Sequence, residues 1–339
     1  MPRNISKPTS RLALLATVGV AIGSLSIADS TDAVAQDWPE RDISVIVAFG
    51  AGGGTDRQTR VMARHLEEVL GVSVTVQNAP GAGGQVGALT VLREEPDGYT
   101  ILSTNQPDQS MTIALQDAPY DADDWAILAV DIYDPRLIVV ANDSPYETWA
   151  DFVEAARENP GELSVSAVTG GAQDLFGRWI MDVFDLDVNH VGYPSGGEAG
   201  SAVLGGHVTA NIGDDFSRLN MRDDVRGLLL GSPEPSPRWP EATLMVDALA
   251  EEGLEPPTPD FLARYHVYAV PAAMVDEHPE RFARLQDAII SIKDLPEYQD
   301  FIAESGVEDL SVMEPGENYE ENFRLSLEAL GEISDLAAQ

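Results

Sequence analysis

Two hydrophobic rhythms alternate along this chain, and the change from one to the other repeats. Residues 43–49 (ISVIVAF) read as a strand that runs into the glycines of 50–54. From Asp56 the apolar positions Val61, Met62, Leu66, Val69 and Leu70 recur at helical spacing, and Gly71 stops them. A second β-branched run at 72–78 (VSVTVQN) leads into a second glycine loop, APGAGGQVG, and then into a helix carrying Val86, Leu89 and Leu92. Pro96-Asp97-Gly98 ends that helix ahead of a strand at 99–103. Three strands alternating with two helices imply parallel crossovers in an α/β layer.

The same logic returns further on. Between residues 126 and 141 the stretches AILAVDIY and RLIVVA meet at Asp134-Pro135, where a turn is expected. Thr148 with Asp151 at the third position predicts a capped helix whose buried face holds Trp149, Phe152, Val153 and Ala156. Next come a strand at 163–168, the turn Thr169-Gly170-Gly171, and a helix with Leu175, Phe176, Trp179, Ile180 and Val183. A strand at 188–191, a turn at 193–197, a short helix to Leu204 and a strand at 208–212 complete a second α/β unit. Residues 232–259 hold seven prolines and read as a loop-rich return path. A strand at 266–270, a helix with Phe282, Leu285, Ile289 and Ile292, and an amphipathic segment at 319–336 close the chain.

The start of the chain follows a different pattern. Arg3, Lys7 and Arg11 precede an apolar run at 12–28, and Ala33-Val34-Ala35 offers a small-x-small cleavage site, so residues 1–35 read as a secretory signal peptide. With no cysteine in the chain, lipid anchoring, disulfides, thiolate metal sites and cysteine nucleophiles are all excluded. The formal charge of −37 argues against a nucleic-acid partner. Because the acidity is spread along the whole sequence, it reads as a solvated surface suited to salty surroundings, where the Debye length shrinks to ~3 Å at 1 M.

Catalytic signatures fail one by one. Both glycine loops miss the last glycine of a dinucleotide fingerprint, with Thr55 and Val86 in its place, and no Gly-Lys-Ser/Thr occurs. The segment Gly192-Tyr193-Pro194-Ser195-Gly196 puts serine one position late for a nucleophile elbow. The histidines at 65, 190, 207, 266 and 278 lack metal-ligand spacing. What remains is three glycine loops that follow strands, near 50–56, 80–84 and 169–173. Backbone N–H groups at such turns and helix N-termini hold anions, and strand C-terminal ends converge on a shared crevice, so the loops point to a small carboxylate ligand. Glycines that only serve tight turns and close packing are the alternative.

Several ordered motifs bear a family likeness: Trp38-Pro39-Glu40-Arg41, Gly52-Gly53-Gly54-Thr55-Asp56, Gln77-Asn78-Ala79-Pro80-Gly81-Ala82-Gly83-Gly84, Pro96-Asp97-Gly98-Tyr99-Thr100, Pro119-Tyr120-Asp121, and Gly192-Tyr193 through Gly205-Gly206-His207-Val208. In this order they resemble the substrate-binding receptors of tripartite tricarboxylate transporters, the extracytoplasmic Bug-type proteins. The resemblance implies a two-lobed, type II periplasmic-binding-protein-like α/β fold that closes on its ligand like a Venus flytrap, with lobe 1 at 37–136 plus 234–339 and lobe 2 at 137–233. It implies a monomeric, non-catalytic periplasmic receptor, without cofactor or metal, that delivers a small carboxylate to the large and small membrane subunits of a permease. A periplasmic α/β enzyme acting on an organic acid and a ligand-presenting sensor partner remain alternatives.

Carried onto this chain, the resemblance places Phe49, Gly53, Gly54, Thr55, Asp56, Pro80, Gly81, Ala82, Gly83, Gly84 and Asn105 on the first-lobe side of the ligand. Thr169, Gly170, Gly171, Ala172, Gln173 and Asp174 would meet it from the second lobe, with Tyr193 and Ser195 on the wall and Asp214 at the rim. Ala48, Gly50, Ala79 and Asp174 depart from the residues usual in the family. Asp174 stands where a histidine is common, so the distal end of the ligand stays open; a helix cap is its other reading.

Overall fold

The computed structural model describes residues 38–256 and 259–332. The expected signal peptide at 1–35 lies outside the described residues, as does the end of the 319–336 segment beyond 332.

The first repeat folds as expected, as β1 (Ile43–Val47), α1 (Gly54–Leu70), β2 (Val74–Asn78), α2 (Gln85–Leu92) and β3 (Thr100–Gln106). There follow α3 (Asp108–Leu115), β4 (Trp125–Ala141) and α4 (Trp149–Glu158). The second unit is β5 (Ser164–Val168), α5 (Ala172–Val183), β6 (Asn189–Tyr193), α6 (Gly196–Leu204), β7 (Ala210–Asp214) and β8 (Val225–Leu230). The return path holds β9 (Thr243–Leu244) and α7 (Met245–Glu251). Then come β10 (Ala263–Pro271), α8 (Ala273–Glu277), α9 (Pro279–Ser291), α10 (Pro296–Ser305), β11 (Ser311–Pro315) and α11 (Glu320–Glu332).

Local chemistry explains the ends of these elements. Thr148 and Asp151 form the reciprocal capping box at the start of α4, with Thr148 Oγ1 accepting from Asp151 N at 3.2 Å and Asp151 Oδ2 accepting from Thr148 N at 2.8 Å. Gly71 ends α1 at φ 72°, a left-handed conformation that only glycine adopts without strain. The proline-rich stretch at 232–259 is less irregular than expected, because Met245, Ala248 and Leu249 gain a buried helical face against the second core.

Contrary to the expected turn at Asp134-Pro135, β4 runs through it as one strand of 17 residues. Its first part pairs antiparallel with β10 and β11, up to Pro135 opposite Ala263; from Arg136 onward it pairs antiparallel with β7 and β8. Proline lacks a ladder N–H, and here it stands where the strand changes partners, so the chain stays extended at little cost. The order β2-β1-β3-β10-β4-β7-β5-β6 results, with β1, β2 and β3 parallel in one half and β7, β5 and β6 parallel in the other.

Each half of this sheet is covered on both faces. In the first half, Ile43, Val45, Met62, Leu66, Tyr268, Leu285 and Ile289 pack on one side, and Ile46, Ala48, Val91, Leu102 and Trp125 on the other. In the second half the alternation along β4 is visible directly. Ile138 and Val140 join Phe152, Phe176 and Ile180, whereas Leu137 and Val139 join Val203, Met221 and Trp239.

Candidate functional site

The strand exchange at Pro135 builds a cluster of buried charges. Asp134 and Arg136 are two residues apart in an extended strand, so their side chains share a face. The register sets Asp134 opposite Arg264 of β10 and Arg136 opposite Asp214 of β7. Arg264 Nη2 and Nε lie 2.6 and 3.0 Å from Asp134 Oδ2, Arg264 Nε lies 3.1 Å from Asp214 Oδ2, and Arg136 Nη1 donates to Asp214 Oδ1 at 2.6 Å. Arg264 Nη1 also donates to Asn105 Oδ1 at 2.8 Å and to Thr55 Oγ1 at 3.1 Å, linking the start of α1 to the end of β3.

Arg136, beyond its one pair with Asp214, and a third arginine, Arg218, are under-compensated. Arg136 is 1% exposed, and its Nε and Nη2 have no hydrogen-bond partner. Arg218, 2% exposed, donates to Asn211 Oδ1 at 2.5 Å, to Ser217 Oγ at 3.1 Å and to backbone carbonyls, with no carboxylate within 4.0 Å among the described residues. Burial pulls the Arg218 pKa down to about 10. Burial also works against the Arg264 charge, but Asp134 and Asp214 outweigh it and hold its pKa above the ordinary value. Asp134 is pushed up to about 7 by burial, with Asp214 and Asp215 adding to the shift and Arg264 opposing it.

These groups line a cavity of about 40 Å³. By the roughly 10–15 Å³ that one water requires on this measure, it has room for about three waters or a small polar group. Phe49, Gly50, Gly53, Gly54 and Thr55 form one wall, where β1 gives way to α1; Asn105 and Asp108 stand at the end of β3 and the start of α3. Val168, Gln173, Gly196, Asp214 and Ser217 face them, with Arg136, Arg218 and Arg264 also in the lining. Gln173 Nε2 donates to Asp214 Oδ2 at 2.6 Å, and its Oε1 has no partner.

Of the positions singled out in the sequence, Phe49, Gly53, Gly54, Thr55, Asn105, Gln173 and Asp214 thus come together around one cavity. The others stand elsewhere. The Asp56 carboxylate accepts from Gly52 N at 2.9 Å and Asn78 Nδ2 at 2.9 Å and pairs with Arg60 at 2.8 Å. Burial opposes the Asp56 charge, but these partners hold its pKa below the usual range. Pro80, Gly81 and Ala82 are exposed; Gly84 packs near Phe49, and a Cβ at Gly83 would stand 2.5 Å from Gly170 O.

Gly170, Gly171 and Asp174 line a separate cavity of about 80 Å³ with Gln116, Leu175 and Arg178. Asp174 contacts Arg178 at 3.4 Å and His190 at 3.6 Å. Thr169 packs against Gly192, Ala172 N is taken by Asp108, and Tyr193 packs on the Leu137–Val139 side of the sheet. Ser195 caps α6 and rests against Gly50 at the edge of the first cavity.

A family model described as "Tripartite tricarboxylate transporter family receptor" matches residues 58–318. The chain belongs to this receptor family. Among curated relatives, Protein BugT of Bordetella pertussis is 30% identical over 243 residues, covering 69% of this chain and 73% of BugT. A protein encoded between tcbD and tcbE in Pseudomonas sp. strain P51 is 30% identical over 222 residues, covering 64% and 66% of the two chains. Among solved structures, Rhodopseudomonas palustris Rpa4515 with adipate superposes with a TM-score of 0.77 at 21% identity, and the periplasmic binding protein BugD with 0.75 at 20%; each match covers 89% of this chain and 99% of the other. The fold is therefore that of the Bug-type periplasmic binding proteins.

One constellation in this family member looks catalytic and is not accessible. Ser103 Oγ lies 2.8 Å from His266 Nε2, and His266 Nδ1 lies 2.9 Å from Asp131 Oδ1, the order of a hydrolase relay. All three are 0% exposed, His266 Nδ1 and Asp131 Oδ1 have no hydrogen-bond partner, and Ser103 Oγ is also held by Thr59 at 2.6 Å. No substrate carbonyl can reach that serine in this conformation. Among the described residues no group of acidic or histidine side chains is arranged to hold a metal, and no helix is long and apolar enough to cross a membrane.

The arginines were the residues that motif reading missed. Positions 136, 218 and 264 share no motif, and register alone brings two of them together. The available signal was a charge inside an apolar strand, as in RLIVVA and ARYHVYAV, because such a charge is almost never buried unless paired.

Proposed function

We propose that this protein is an extracytoplasmic receptor that binds a small organic carboxylate in the cavity between β1–α1 and β5–α5 and passes it to the large and small membrane subunits of a tripartite tricarboxylate-type permease. One observation carries the reading: the cavity is lined by buried guanidiniums, Arg136 and Arg218, whose N–H groups or charge lack a full set of anionic partners. A buried charge without a counter-charge is costly, and a bound carboxylate supplies one. The start of α1 at Gly53 adds a helix N-terminus of the same preference.

In this reading residues 1–35 direct export and are removed, the two halves of the sheet act as lobes 37–136 plus 234–339 and 137–233, and β4 and β10 form the connection between them. The receptor performs no chemistry on its ligand. MatC of Rhodopseudomonas palustris, with bound malate, and Rpa4515, with adipate, share the fold and support carboxylates as the ligand class.

Thermal-shift titration of the purified protein with small carboxylates tests this directly. A bound ligand at 100 times its Kd adds about 2.7 kcal/mol of stability, and the ligand should be recovered unchanged. No shift with any carboxylate, or steady conversion of one of them, would remove the proposal.

A further inference from the structure

Asp108 is the first residue of α3 and comes from the first half of the sheet, yet its carboxylate reaches the second half. Its Oδ1 accepts a hydrogen bond from Ala172 N, the first amide of α5, at 2.7 Å. The side chain is 5% exposed and lines the cavity, and a Cβ at Gly171 would lie 3.3 Å from the same oxygen. The N-terminus of this 12-residue helix, which would attract a carboxylate from a ligand, therefore already holds one from the protein. On the guanidinium side Asp214 pairs with one nitrogen of Arg136 and with Arg264, and leaves the rest of the Arg136 fork and all of Arg218 without a carboxylate. Arg136 keeps two buried guanidinium nitrogens, Nε and Nη2, without partners, and Arg218 has only neutral acceptors within hydrogen-bond distance.

We propose that the ligand carries a single carboxylate, held by Arg136 and Arg218, and that Asp108 excludes a second one by occupying the first amide of α5. The protein is then a receptor for short monocarboxylates rather than dicarboxylates. This rests on the carboxylate reading of the cavity and narrows it. A second ligand carboxylate directed at α5 would meet the Asp108 oxygens at contact distance and lose the amide that Asp108 holds, so it would enter a buried site with no donor left at this helix end.

Titration calorimetry on the full-length protein with propionate, pyruvate, succinate and adipate decides the matter, and wild type alone is sufficient for the first reading. The expected result is a Kd for propionate or pyruvate at least tenfold tighter than for succinate or adipate. Asp108→Ala frees the Ala172 amide and should bring succinate to within threefold of propionate. Arg136→Gln should weaken propionate at least tenfold in protein whose near-ultraviolet circular dichroism is unchanged. Equal or tighter binding of a dicarboxylate to wild type, or an unchanged preference in Asp108→Ala, overturns the inference and leaves the carboxylate receptor standing. If none of the four acids binds, the single-carboxylate inference falls, and the receptor reading is decided by the wider carboxylate titration.

Discussion

Arg264 and Asp134 face each other across the β10–β4 ladder with Arg264 Nη2 2.6 Å from Asp134 Oδ2, and both side chains are almost wholly buried. The pair has a consequence for pH. The Asp134 pKa of about 7 exceeds the roughly 3.9 of an unfolded aspartate, so the folded state holds a proton that the unfolded state has released. The associated stability is full below the unfolded value and is lost as pH rises through about 7. Melting temperature at fixed ionic strength should therefore fall between pH 5 and pH 8, with a slope of up to about 1.4 kcal/mol per pH unit from this one group. Asp134→Asn should flatten the slope; an identical slope in that variant would assign the effect to other groups.

Gly54 is tightly enclosed on the cavity side. A Cβ there would lie 2.8 Å from Ser217 Cβ and 2.9 Å from Arg264 Nη2, and Arg264 is fixed by its carboxylate partners. Gly54→Ala should destabilise the protein by about 1–3 kcal/mol, as overpacking does, and weaken carboxylate binding tenfold or more. Urea unfolding and calorimetry report the two effects separately, and unaltered affinity would place the ligand away from this wall.

Phe176 sits at the centre of the second core, 0% exposed, with ring centroids 6.1 Å from Trp179 and 5.9 Å from Phe261. Truncation to alanine leaves a void that rigid neighbours fill poorly. Phe176→Ala should cost about 3–5 kcal/mol in chemical denaturation.

The charge of −37 and the burial of the arginines predict different responses to salt for stability and for binding. Raising sodium chloride from 0.1 to 1 M shortens the Debye length from about 10 Å to about 3 Å and screens the acidic surface, so the melting temperature should rise. Charges enclosed in the cavity are screened far less, and the Kd for a bound carboxylate should change by less than about threefold. A falling melting temperature would contradict the salt-tolerant reading of the composition.

Much of the fold was legible because its signals are local. The β1–α1–β2–α2–β3 alternation, the Thr148–Asp151 box and the helix carrying Phe176 and Trp179 all follow from spacing, caps and glycine stops. The Pro135 region misled because a proline between apolar runs usually marks a turn, and only the exchange of partners from β10 to β7 makes it compatible with a strand. The same non-local event hid the charged heart of the site. Glycine loops announce themselves within a few residues, whereas Arg136, Asp214, Asp134 and Arg264 meet through pairings that span up to 130 positions. Asp108 went unnoticed for a similar reason, since its partner Ala172 is 64 residues away.

The continuity of β4 also governs how the chain can be threaded. A slip of one residue would turn Ile138 and Val140 toward Trp239 and send Leu137 and Val139 toward Phe176, and it would draw Asp134 and Arg136 off their partners in the same movement. Misalignment cannot stay confined to one side of Pro135. Each half of the molecule thereby proofreads the other, and a wrongly threaded chain forfeits packing and ion pairs in both at once.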